Sequence, residues 1–140
     1  MDQRRDFIKK AAKLGTAGSM AAMAAAAATG PARAKVAGGI RLGNLYFASG
    51  ATGVKDGNDI KDQTRLILEK HKANLEGMGS SLENVLKVTV FLADVKNEKN
   101  AMNEVYGKFF PKDAPARSAF GVQFPDSVTR VEIELVAWIP

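Results

Sequence analysis

The amino-acid sequence predicts an α+β domain, a mixed β-sheet packed on two helices. Three observations carry this expectation. Two long segments repeat apolar residues at steps of three and four, the period of a helix with one buried face. Several shorter runs are β-branched and alternate apolar with polar residues, the period of a half-buried strand. The two kinds of segment follow each other in the order ββ-α-β-α-ββ, which favours helices on one face of a single sheet.

Taken in order, Ile40-Arg41-Leu42 and Leu45-Tyr46-Phe47-Ala48-Ser49 flank Gly43-Asn44 and form a β-hairpin. Gly50 to Gly57 reads as a glycine-punctuated loop. Asn58 or Asp59 caps a helix that runs to about Gly77, with Ile60, Thr64, Ile67, Leu68, His71, Leu75 and Met78 on its buried stripe. Ser81, Glu83 and Asn84 open a turn into Val85 to Asp94, of which Leu86 to Leu92 is strand material. Asn97 or Asn100 caps a second helix with Met102, Val105, Tyr106, Phe109 and Phe110 on its apolar stripe, and Pro111 stops it. Ala116 to Val122 and Val131 to Ile139 are the last two strands. In the final strand Glu132 and Glu134 point away from the aliphatic face.

Composition narrows the function. The chain has 140 residues and no cysteine, so disulfides, thiolate nucleophiles and cysteine-ligated metals are excluded. Its formal charge of +5 is unevenly spread. Residues 1–34 carry six basic and two acidic side chains, whereas the other 106 carry 14 and 13, a net of +1. The basic character therefore belongs to the N-terminal segment, and no nucleic-acid surface is expected.

That segment has the layout of an export signal. Asp2-Gln3-Arg4-Arg5-Asp6-Phe7-Ile8-Lys9-Lys10 is similar to a twin-arginine motif, and the mildly apolar run Leu14 to Gly30 follows it. Ala32-Arg33-Ala34 places small residues at the specificity positions of a signal-peptidase site. The expectation is residues 1–34 as a twin-arginine signal peptide, residues 35–140 as the mature domain, the twin-arginine translocase as a partner, and the periplasm as the destination.

Several blocks of the mature domain resemble the Rid (YjgF-type) family of reactive-intermediate deaminases. They are Gly43 to Gly50, Gln63-Thr64-Arg65 with Leu68 and Leu75, Asn84 to Leu92, and Asn103-Glu104-Val105-Tyr106 before Phe109-Phe110. Ala114-Pro115-Ala116-Arg117-Ser118 and Val131-Glu132-Ile133-Glu134 complete the set, which spans residues 39 to 139. The resemblance implies a Rid/YjgF-like (chorismate mutase-like) sandwich that assembles as a homotrimer with sites between subunits. It further implies hydrolysis of enamines and imines derived from amino acids to 2-oxoacids and ammonia, with no metal or organic cofactor.

Residue chemistry agrees with that expectation. Arg117 offers a planar, permanently charged fork for a substrate carboxylate. Glu132 is the candidate to position or deprotonate the attacking water, or to pass a proton to nitrogen. By resemblance, Ser49, Gly50, Asn103 and the backbone N–H of Ala119 line the substrate pocket. Tyr106, Phe109 and Phe110 read as core, and His71, the single histidine, reads as a structural or interface residue. Three positions depart from the family pattern. Ala119 stands where many members have cysteine, Val36 aligns with the family's pocket tyrosine, and the loop from Gly50 to Asn58 is short. The competing function is a non-catalytic module of the cell envelope that binds carboxylate ligands. RNA cleavage is poorly served by a mature charge of +1.

Overall fold

A computed structural model describes residues 30–56 and 58–140. The proposed signal segment falls almost wholly outside the described residues. The compact unit Arg33–Pro140 is built on one seven-stranded sheet. Its strands are β1 (Arg33–Val36), β2 (Gly39–Leu42), β3 (Leu45–Ala48), β4 (Ala51–Thr52), β5 (Val85–Leu92), β6 (Ala116–Gly121) and β7 (Val131–Trp138). The helices are α1 (Ile60–Gly77) and α2 (Val95–Phe109). The strand order is β1-β2-β3-β7-β5-β6, with β4 also on β7. All pairings are antiparallel except β5 with β6, whose connection runs through α2.

The expected mixed sheet with two helices is the observed architecture. The β2–β3 hairpin closes through Gly43-Asn44, and Gly43 holds φ at 58°, the left-handed region where glycine meets no side-chain clash. Asp59 caps α1, its Oδ1 accepting from the Asp62 N–H at 2.9 Å. The expected stripe of α1 is buried, joined by Gln63, while Met78 is only half-buried.

Three local expectations need correction. Helix α2 starts at Val95, earlier than Asn97 or Asn100 would place it. Asp94 is its cap, accepting from the Asn97 N–H at 3.1 Å and the Asn97 side-chain amide at 2.7 Å. A carboxylate three residues upstream thus does the work assigned to Asn97. Val36 belongs to an additional strand, β1, whose pairing with β2 spans Arg33↔Leu42 to Val36↔Gly39.

The third correction concerns the glycine-rich loop. Its first residues, Ala51 and Thr52, pair with Ile133 and Glu132 of β7. Strand β3 pairs with the same strand up to Phe47↔Val136. Three residues, Ala48 to Gly50, therefore face only Glu134 and Leu135, which is a β-bulge. The extra residue keeps both Ala48 and Ala51 buried on the helix side.

The core lies between one face of the sheet and the helices. Val88, Val90, Leu92, Val131, Ile133, Leu135 and Ala137 pack there with Ile67, Leu68, Leu75, Met102 and Tyr106. The other face of the sheet carries Leu45, Phe47, Glu132, Glu134 and Trp138, with Phe47 43% and Trp138 44% exposed. Two bulky rings on one sheet face are a large apolar surface for an isolated domain.

Candidate active site

The site residues expected from sequence form two groups, separated by the thickness of the sheet. The first group lies on the helix side of the edge strand β6. Arg117 pairs in register with the buried Val88, so its side chain leaves the sheet towards the helices. There its Nη1 donates to Asn103 Oδ1 at 2.8 Å, and its guanidinium carbon sits 4.6 Å from the centre of the Tyr106 ring. Asn103 and Tyr106 are three residues apart on α2, one turn of the same helix face. Tyr106 in turn packs on Phe110, with ring centres 4.7 Å apart. Ala119 lies two residues further along β6, half-buried against the core.

The second group lies on the open face, around β7 and the bulge. Glu132 alternates with the buried Val131 and Ile133 and so points away from the helices. A Cβ built on Gly50 would collide with Glu132 Oε1, so the carboxylate rests against the bare backbone of the bulge. Glycine here admits the side chain rather than supplying conformational freedom. Ser49 completes the bulge, its N–H donating to Gly38 O at 2.8 Å. Phe91 is in register with Glu132 across the β5–β7 ladder, and with Phe120 on β6.

Within one chain the structure thus brings Arg117 together with Asn103, and Glu132 together with Gly50 and Ser49. It does not bring Arg117 and Glu132 together. Strand β5 runs between β6 and β7, and the two side chains leave opposite faces. Val36, at the position of the family's pocket tyrosine, packs against the core and offers no hydroxyl.

Two features escaped sequence reasoning. Tyr106 has core burial, as its helical spacing indicated, yet its ring also carries Arg117. The three-residue spacing to Asn103 was the available signal. The bulge at Ser49-Gly50 was hidden because β4 is only two residues long.

His71 is buried, its Nε2–H donating to Ile133 O at 2.9 Å. Among the described residues its Nδ1 has no partner, and burial holds its pKa below the ordinary 6.5. It sits on the helix side of β7 and takes no place beside Glu132.

The model of the endoribonuclease L-PSP family matches residues 19–139. The chain belongs to that family. A RutC family protein of Pyrococcus horikoshii is 44% identical over 105 residues, covering 71% of this chain and 82% of the relative. Reactive Intermediate Deaminase A, a chloroplastic protein of Arabidopsis thaliana, is 35% identical over 104 residues, covering 70% of this chain and 55% of the relative. Among solved structures, a YjgF/YER057c/UK114 family protein of Mycobacterium tuberculosis superposes with a TM-score of 0.70 at 26% identity, covering 77% of this chain and all of that one. The L-PSP (Rid/YjgF) fold expected from the sequence is the fold observed.

Proposed function

We propose that this L-PSP family member is a deaminase that hydrolyses amino-acid-derived enamines and imines to 2-oxoacids and ammonia. The observation that carries this reading is the division of the site. An anion-binding fork, Arg117 steadied by Asn103, stands on one face, and a seated carboxylate, Glu132, stands on the other. Homologues named as reactive intermediate deaminases support it.

The chemistry needs no more than these groups. An enamine first takes a proton at carbon and becomes an iminium. Arg117 holds the substrate carboxylate through charge-assisted hydrogen bonds. Glu132 removes a proton from water as the water oxygen bonds to the iminium carbon, and returns it to nitrogen. The carbon–nitrogen bond then breaks, its electron pair leaves with ammonia, and the remaining hydroxyl loses a proton to give the ketone.

The working unit of this proposal is a homotrimer in which Arg117 of one protomer faces Glu132 of its neighbour across a shared cleft. The exposed Phe47, Leu45 and Trp138 give the open sheet face an apolar surface suited to self-association. The proposal also places the protein in the periplasm, exported by the twin-arginine translocase through residues 1–34. An amino-acid or amine oxidoreductase of the envelope is then the class of enzyme that supplies imines.

The test couples purified protein to an amino-acid oxidase and follows 2-oxoacid release. Acceleration by the wild type and its loss in Arg117→Ala are expected; no acceleration across several imines overturns the reading. Replacing Arg4 and Arg5 by lysine should retain the protein in the cytoplasm, and unchanged fractionation overturns the export route.

A further inference from the structure

We infer that Tyr106 is a positioning residue that sets the preference for carboxylated substrates, acting through Arg117. The inference rests on the deaminase reading above. Arg117 lies on an edge strand and is largely exposed, a setting in which a long side chain samples many rotamers. Two contacts restrain it. Asn103 takes one N–H of Nη1, and the Tyr106 ring lies under the guanidinium at 4.6 Å from its centre. A cation over a ring face is attracted by the ring's quadrupole, and the plane of the guanidinium favours stacking.

The ring is itself held by packing. Tyr106 is 6% exposed and packs on Phe110. It therefore acts as a fixed shelf. One face of the guanidinium is covered and one corner is tied, so the remaining N–H groups present a fork of defined orientation. A carboxylate meeting that fork loses less freedom on binding than one meeting a mobile arginine. A substrate without a carboxylate gains nothing from it.

The hydroxyl plays no part in this arrangement. It is buried without a hydrogen-bond partner among the described residues, and burial raises its pKa despite the nearby Arg117 charge. The ring, not the phenol, is the functional element. This separates a stacking role from a hydrogen-bonding or acid–base role.

The experiment compares kcat/KM on an imine released by an amino-acid oxidase with that on a carboxylate-free imine released by an amine oxidase. Wild type is expected to prefer the first, and Arg117→Ala to lose the preference. Tyr106→Leu is expected to raise KM for the carboxylated imine about tenfold, with kcat and the carboxylate-free reaction held. Tyr106→Phe should restore the preference. Pentafluorophenylalanine at position 106, which keeps the shape but reverses the quadrupole, should lose it again and so keeps the test decisive if Tyr106→Leu does not fold. Unchanged preference in folded Tyr106→Leu, or equal behaviour of the two phenylalanine forms, overturns the inference while the deaminase reading stands. A preference that survives Arg117→Ala removes Arg117 as the carboxylate anchor and overturns the inference, whereas no acceleration of either imine by the wild type overturns the deaminase reading.

Discussion

The two halves of the candidate site are built differently. Arg117 is held by side chains: an amide from α2 and an aromatic ring beneath it. Glu132 is held by backbone shape, a bulge whose glycine leaves room for a carboxylate. The Arg117 half is therefore adjustable by substitution on one helix face, whereas the Glu132 half depends on strand register. A group that binds substrate can be retuned through its neighbours. A group that moves protons must sit within hydrogen-bond reach of the reacting atoms, and a rigid seat serves that requirement.

This contrast can be broken at several points. The largest effect is expected at Glu132. Glu132→Gln preserves size and should lower kcat by about 10²–10⁴-fold with little change in melting temperature; retention of kcat would remove the carboxylate from the chemistry. Next, Arg117→Ala and Glu132→Gln proteins, each impaired alone on carboxylated imines, should regain activity on them when unfolded together and refolded as mixed oligomers. Recovery requires that the two residues act from different chains. Its absence in verified mixed oligomers would place both in one chain and contradict their positions on opposite faces.

Gly50→Ala comes third. The added methyl must displace the Glu132 carboxylate, so kcat should fall about tenfold or more from misplacement alone, while the same change at the open Gly107 should do nothing to turnover. Fourth, His71 couples stability to pH. Its folded-state pKa is lowered by burial, so below the unfolded value of 6.5 the unfolded chain binds more protons and stability falls as pH drops. Denaturant titrations at pH 5 and pH 8 should show this decline in wild type and a weaker one in His71→Gln. The smallest effect is expected at Asp94→Ala, where loss of the α2 cap should cost about 1 kcal/mol in chemical denaturation.

Much of the fold was legible locally. The stripes of α1 and α2, the alternation in β7 and the Gly43-Asn44 hairpin follow from residue period and turn chemistry, which act over a few residues. The exceptions are informative. Asp94 stands at the end of a strand-like run, which conceals it as a cap, and β1 and β4 are short edge pieces with too few residues to show a period. His71 was legible as buried, but its single hydrogen bond to Ile133 links positions 62 residues apart.

The site was legible as a set of residues and not as an arrangement. Arg117, Asn103, Glu132, Ser49 and Gly50 were all marked by the sequence blocks in which they stand, because residue type and short-range motif announce chemistry. Their division between two sheet faces depends on the order β7-β5-β6, on register and on the bulge, which involve strands far apart in the chain. Tyr106 shows the limit most clearly. Its helical spacing determined that it would be buried, and only the packing of α2 against β6 decided that Arg117 would lie on its ring. Period and motif determine which face of an element is apolar; tertiary packing decides what that face meets.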